Sequence, residues 1–256
     1  MKTRDEWVEI LTSYPDVAFE VAGTSEEGTR HPQIIHNGDI VTVDDPDHGP
    51  VREVGPLAHF RRTPAAITRS SPSVDAHDGG FAARPPVPAA DPSSVRWPSA
   101  ALDGITIVDF GYFYAMPYGS AMAALLGARV IKLEDGTGDP HRRSFGVEVA
   151  SMKTMTGKES FSVNLRTNEG RDAVHALIAR ADAFVLGFRP GVAEKLGLDW
   201  DSLSRINPRL LYVHASGYGV DGPYARRALY AQAAQAVGGS FGTGAAPSSS
   251  WPLLLH

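Results

Sequence analysis

The amino-acid sequence predicts an α/β protein: a mostly parallel sheet from residue 102 onward, preceded by a small α+β segment. Three observations lead there. From residue 102 to 239, short apolar runs alternate with helical patterns, the order that builds a right-handed parallel layer. The runs 105–110 and 128–134 are nearly continuous in apolar residues, as strands covered on both faces require. Between 61 and 101, seven prolines from Pro64 to Pro98 interrupt Ser, Ala, Asp and Gly, a composition that cannot build a core. The chain therefore divides into a segment 1–60, a linker 61–101 and a domain 102–256.

The first segment opens with a helix. Thr3 and Glu6 form a Thr-x-x-Glu capping box, in which each side chain satisfies the other residue's backbone donor. Trp7, Val8, Ile10 and Leu11 supply an apolar stripe at helical spacing, and Pro15 stops it. Residues 17–21 suit a short strand, and His31-Pro32-Gln33 suits the start of a second helix. Runs 40–43 and 51–54, joined through 44–50, read as a β-hairpin. A segment of about 60 residues with few apolar runs has a marginal core and needs a partner surface. His31, His36, His48 and His59 match no metal-ligand spacing and read as ordinary surface histidines.

The domain begins with strand 105–110, a small-residue helix from Pro117 to Gly127, and strand 128–134. A polar loop, 135–157, leads to strand 161–165. Thr167 caps the next helix, with Glu169 in its first turn and Ala173, Val174, Leu177 and Ile178 as its buried stripe. Strand 183–186, short helices 191–196 and 201–206, and strand 210–214 complete the alternation.

Bulk composition narrows the function classes. With 256 residues, 43% apolar and 21% charged, a sizeable core is available. The formal charge is −5 and the basic residues are scattered, which argues against a general nucleic-acid binder. The absence of cysteine excludes disulfides, thiolate metal sites and a Cys nucleophile, and no metal is expected. No apolar run approaches the roughly 18 residues of a membrane span. The charged, amphipathic N-terminus has no signal-peptide core, so the expected setting is cytoplasmic, with no membrane partner.

Few motifs carry chemistry outright. Gly217-Tyr-Gly-Val-Asp-Gly222 is a literal G-x-G-x-x-G after a strand. Pro223 and Tyr224 follow it, and no acidic residue comes after Gly222, so it reads as a turn rather than an NAD site. No phosphate-binding Gly-Lys-Ser/Thr or nucleophile elbow is present. Phe188-Arg189-Pro190-Gly191 follows strand 183–186 and sets an arginine beside a helix N-terminus, which suits a phosphate or another anion. Lys158 precedes the strand at Phe161, and Lys195 lies on the helix after Arg189. Ligands bind at the carboxyl ends of parallel strands, although solvated surface charge is the other reading of these residues.

The residues together resemble a known family. Leu102-Asp-Gly-Ile-Thr-Ile-Val-Asp-Phe, the Pro117 helix, and Leu126-Gly-Ala-Arg-Val-Ile-Lys-Leu-Glu134 with Gly138-Asp139 resemble the start of family III CoA-transferases of the CaiB/BaiF type. That family includes formyl-CoA transferases, carnitine CoA-transferases and α-methylacyl-CoA racemases. The likeness continues through Lys158-Glu-Ser-Phe-Ser-Val-Asn-Leu, Gly187-Phe-Arg-Pro-Gly191, Glu194-Lys-Leu-Gly197, Asn207-Pro-Arg-Leu210, Ser216-Gly-Tyr-Gly219 and Gly222-Pro223-Tyr224. The N-terminal segment resembles the family's far end, at residues 2–11, His31-Pro32-Gln33 and Gly49-Pro-Val-Arg52. The order tail, linker, head is that of the junction in a tandem fusion, or of a truncated frame across one, with a circular permutant as a further option.

The resemblance implies CoA and acyl-CoA as substrate on the Rossmann-like domain, with no tightly bound cofactor. It implies transfer of CoA between an acyl-CoA and a carboxylic acid. An Asp carboxylate attacks the thioester to give a mixed anhydride and CoA thiolate, which attacks again. By position, Tyr114 and Ala115 match the family's loop after the first strand that lines CoA, and Lys158, Phe188, Arg189, Lys195 and Tyr218 match other CoA contacts. The family's catalytic Asp would lie beyond His256, so no catalytic residue is assigned within this chain. An interlocked homodimer or an intramolecular tandem pair follows from the same likeness. Departures are visible: Leu229-Tyr230-Ala231 stands where members carry Gly-Tyr/Phe-Asp, or Gly-His-Asp in racemases. Gly157-Lys158-Glu159-Ser160 replaces Asn-Lys-Arg-Ser, and Gly187 replaces Asn. A catalytically silent CoA-binding or dimer-partner fragment and an acyl-CoA racemase are the alternative readings.

Overall fold

A computed structural model of the chain describes residues 2–76, 98–143 and 148–239, with side chains from residue 151 in the last stretch. Most of the predicted linker, 77–97, and the end of the predicted domain, 240–256, lie outside the described residues. Two compact units result: Met1–Trp97 with Leu229–His256, and Pro98–Ala228.

The first unit starts with α1 (Arg4–Thr12). Its capping box is formed as the sequence predicts: Glu6 N–H donates to Thr3 Oγ1 at 3.3 Å, and Thr3 N–H to Glu6 Oε2 at 2.6 Å. A second box, Thr24 with Glu27, caps the single turn α2 (Ser25–Gly28). In α3 (Pro32–Asn37), the His31 ring caps the start, Pro32 sits in the first turn, and Gly38 ends the helix in the left-handed region. Strands β1 (Ile40–Asp45) and β2 (Gly49–Val54) pair antiparallel, with Ile40 opposite Val54. The expected strand at 17–21 does not form. Ala18 and Phe19 are buried there without a strand ladder. Helix α9 (Ala231–Val237) packs against α2 so tightly that a Cβ on Gly28 would lie 2.7 Å from the Val237 carbonyl oxygen.

The second unit is a five-stranded sheet of parallel strands in the order β5-β4-β3-β6-β7. The strands are β3 (Thr106–Phe110), β4 (Arg129–Glu134), β5 (Lys158–Ser162), β6 (Ala183–Leu186) and β7 (Leu211–His214). The helices are α4 (Ala115–Leu125), α5 (Glu148–Met155), α6 (Asn168–Ile178), α7 (Val192–Leu196) and α8 (Trp200–Ile206). Side chains alternate across each strand, so each face has its own composition. On one face Val108, Phe110, Leu133, Phe184 and Leu186 join Val174 and Ile178 of α6 and Leu203 of α8 in the apolar core. On the other face, next to α4, lie Asp109, Lys132 and Glu134, each nearly or fully buried.

Three further features depart from the sequence reading. The predicted loop 135–157 contains a 3₁₀ turn, Pro140–Arg142, and helix α5. The buried positions of α5 include Ser151 and Thr154, so no apolar stripe announced it. Strand β5 begins at Lys158 rather than Phe161, because an edge strand needs few apolar side chains to hold its ladder. The stripe of α6 is narrower than predicted: Val174 and Ile178 are fully buried, while Ala173 is exposed.

Candidate functional site

The topology selects the place. From β3 the chain winds outward through β4 to β5, then crosses to β6 on the other side of β3. The strand order reverses at β3 and β6, and ligands of open parallel sheets bind in the crevice at the carboxyl ends there. Those ends carry the loop 111–114 before α4 and the loop 187–191 before α7. Rings of Phe110, Tyr112 and Phe188 knit the two loops together: Phe110 and Phe188 lie 4.6 Å apart, and Tyr112 meets Phe188 edge-on at 5.1 Å.

Beneath this crevice lies a chain of buried charges. Asp109 Oδ2 accepts from Lys158 Nζ at 2.6 Å and from Ser120 Oγ at 2.8 Å, while Oδ1 accepts the Gly111 N–H at 2.8 Å. Lys158 Nζ also donates to the Pro117 carbonyl at 2.6 Å and to Ser120 Oγ at 2.8 Å. One carboxylate and one ammonium thus join β3, β5 and the first turns of α4. A second pair, Lys132 Nζ and Asp139 Oδ2 at 3.0 Å, is also fully removed from solvent. The third, Glu134 with Arg142, is bidentate at 2.7 and 2.8 Å. Charges in an apolar layer are tolerable only when paired, and each of these is; Asp139 Oδ2 meets Lys132 as an ion pair without a hydrogen bond.

The electrostatics follow from those contacts. Burial pushes the Lys158 ammonium below its ordinary pKa; Asp109 opposes that shift and nearby Lys132 adds to it. Burial raises Glu134, but the Arg142 guanidinium, the Asp139 N–H and the Ser160 hydroxyl outweigh it and hold the carboxyl below its usual range. Tyr112 is pushed up to about 12 by burial and by the charges of Asp135, Asp139 and Glu134.

The residues singled out from the sequence fall into two groups. Tyr114, Ala115, Arg189 and Lys195 are exposed. Tyr114 is half exposed and stacks on Tyr118, ring centroids 5.3 Å apart and planes 14° from parallel. Arg189 reaches from the β6 loop to donate to the Arg226 carbonyl at 3.2 Å. Lys195 lies in the last turn of α7. The other three are held inside. Lys158 is engaged by Asp109, Ser120 and Pro117, Phe188 stands half-buried in the ring cluster, and Tyr218 is buried, with Tyr224 and the Arg227 guanidinium against it. Sequence reasoning passed over Asp109, Lys132, Asp139 and His141. For Asp109 and Lys132 the available signal was a charged residue inside an otherwise apolar strand, which demands a buried partner. Among the described residues, no three His, Asp or Glu side chains group to hold a metal ion. No helix among them is long and apolar enough to cross a membrane.

Comparison with known proteins gives the chain a family context. The model of "CoA-transferase family III" matches residues 1–78 and 102–253. The β subunit of succinyl-CoA–L-malate CoA-transferase from Chloroflexus aurantiacus is 40% identical over 144 residues, which is 54% of this chain and 36% of that protein. Formyl-CoA:oxalate CoA-transferase from Streptomyces avermitilis is 38% identical over 148 residues, 56% of this chain and 36% of that protein. The chain thus spans little more than a third of the length of these relatives. Among solved structures, a CAIB/BAIF family protein from Brucella suis superposes with a TM-score of 0.53 at 37% identity, covering 55% of this chain and 39% of that one.

Proposed function

The chain belongs to CoA-transferase family III, and from that premise we propose that it serves a CoA-transferase reaction, moving CoA between an acyl-CoA and a carboxylic acid. The observation that carries the reading is the crevice at the switch between β3 and β6. There the exposed Tyr114 ring, stacked on half-buried Tyr118, and the exposed Arg189 stand at the ends of adjacent strands. Rings offer faces to a nucleobase or an apolar arm, and a guanidinium suits phosphate oxygens.

In this proposal Tyr114, Ala115, Arg189 and Lys195 line the CoA, with Phe188 and Tyr218 packing behind them. Lys158 acts from below, by fixing β3 and the first turns of α4. In the reaction, a carboxylate oxygen adds to the thioester carbonyl and the carbon–sulfur bond breaks, so that CoA departs as the thiolate and a mixed anhydride remains; the thiolate then attacks a carbonyl of an anhydride and the carboxylate leaves. Asp109 and Asp139 are not assigned that role. Both are fully buried and ion-paired, so neither presents an oxygen to a substrate. The proposed assembly pairs this chain with further family-type segments, in a second copy or in tandem.

The test uses the full chain with a panel of acyl-CoA donors and carboxylic acids, led by succinyl-CoA and formyl-CoA with malate and oxalate. New CoA thioesters separated by chromatography are the expected result where a partner segment supplies the attacking carboxylate. Saturable CoA binding without any transfer refutes transferase activity for this chain and favours the silent CoA-binding reading.

A further inference from the structure

We propose that Asp139 and His141 are positioning residues that hold the loop 111–114 in the conformation that presents Phe113 and Tyr114 to CoA. The inference rests on the CoA reading of the same strand ends. It starts from a strained residue. Phe113 has φ of 64°, in the left-handed region, where a side chain's Cβ crowds the following carbonyl. An aromatic residue stays there only when its surroundings over-determine it, and such strain clusters at ligand clamps.

The surroundings do over-determine it. The Phe113 N–H donates to Asp139 Oδ1 at 3.2 Å. The Phe113 carbonyl lies 3.1 Å from His141 Nδ1, and since a carbonyl only accepts, that nitrogen carries the proton. Asp139 Oδ1 also takes the His141 N–H at 2.9 Å, so the two bracket residues fix each other. Asp139 Oδ2 is held by buried Lys132, which donates in turn to the Gly111 carbonyl. The Gly111 N–H is held by Asp109. The backbone at 111 and 113 is thus tied on both its N–H and C=O groups, chiefly from β4 and the turn after it.

The consequence is a change of side-chain direction within three residues. Tyr112 packs inward against Phe110 and Phe188. Phe113 and Tyr114 are turned outward, 36% and 50% exposed. The His141 ring lies beside both, edge-on to Tyr114 at 6.2 Å. An outward aromatic ledge is a costly arrangement for stability alone, but it fits a site that receives a planar or apolar part of a ligand.

The experiment compares wild type with His141→Ala, His141→Asn and Asp139→Asn in the full chain. It measures CoA affinity by calorimetry, amide exchange at Phe113 by NMR, and the melting temperature. In His141→Ala, loss of one bracket bond should weaken CoA about five- to tenfold and speed Phe113 exchange by a similar factor, with little change in melting temperature. Asn, whose side-chain amide replaces the Nδ1 donor, should restore both to near wild type. Asp139→Asn should weaken CoA further. If that variant does not fold, the His141 pair decides. Unchanged CoA affinity in His141→Ala overturns the positioning role, as does a loss that Asn does not rescue. A wild-type chain that ignores CoA overturns the CoA reading itself. The exchange comparison still judges the bracket, with unchanged Phe113 exchange in His141→Ala overturning it.

Discussion

Replacing Lys158 by Met should destabilise the Pro98–Ala228 unit far more than replacing Arg129 by Met. Both lysine and arginine are ion-paired. Arg129 grips Glu159 with two 2.8 Å bonds, yet the two side chains are 59% and 55% exposed. Lys158 and Asp109 are 2% and 0% exposed. An exposed pair contributes about 0–1 kcal/mol, because water and salt screen it. Removing one member of a buried pair strands the other charge without solvent and costs about 3–5 kcal/mol. For a domain of this size each kcal/mol moves the midpoint about 2–4 °C, so Lys158→Met should lower it by about 6–20 °C and Arg129→Met by no more than about 4 °C. Burial is the largest influence on the Lys158 ammonium, and Asp109 only opposes it. The double variant Asp109→Leu with Lys158→Met should recover much of the loss. Thermal and urea denaturation followed by circular dichroism measure all four proteins. Equal losses for Lys158→Met and Arg129→Met would refute the reasoning.

Two further predictions concern titration. Glu134 is held below its usual range, so its contribution is complete above the ordinary glutamate value of about 4.3 and lost as pH falls through the lower folded value. Glu134→Gln should therefore be less stable than wild type near neutrality. The gap should close below about pH 4, a trend that urea midpoints across pH would show. Tyr112, raised to about 12, should stay protonated well above the ordinary tyrosine value of about 10. Ultraviolet difference titration of wild type against Tyr112→Phe should remove only a late step, and loss of an early step would contradict its burial.

The sheet was legible because its strands are written as apolar runs between helical patterns. Strand 183–186 and the short helices after it are where periodicity places them. The Thr3 and Thr167 caps are local chemistry, readable from a few residues. What periodicity missed is nonlocal or polar. Helix α5 buries Ser151 and Thr154, and β5 opens with Lys158, whose partner Asp109 is 49 positions away. Of the proposed site, Arg189 could be read from its place after a strand, and Tyr114 from family likeness alone. The bracket could not, because it depends on Asp139 and His141 meeting the backbone of Phe113, a residue whose left-handed φ nothing in its own side chain foretells.

The central claim is that the crevice between the ends of β3 and β6 receives CoA. Calorimetric titration of the full chain with CoA, beside NAD and beside the Arg189→Ala variant, tests it most directly. Saturable CoA binding that weakens in Arg189→Ala is expected, with no comparable heat from NAD. Binding of NAD as tight as that of CoA, or CoA binding indifferent to Arg189, would contradict it.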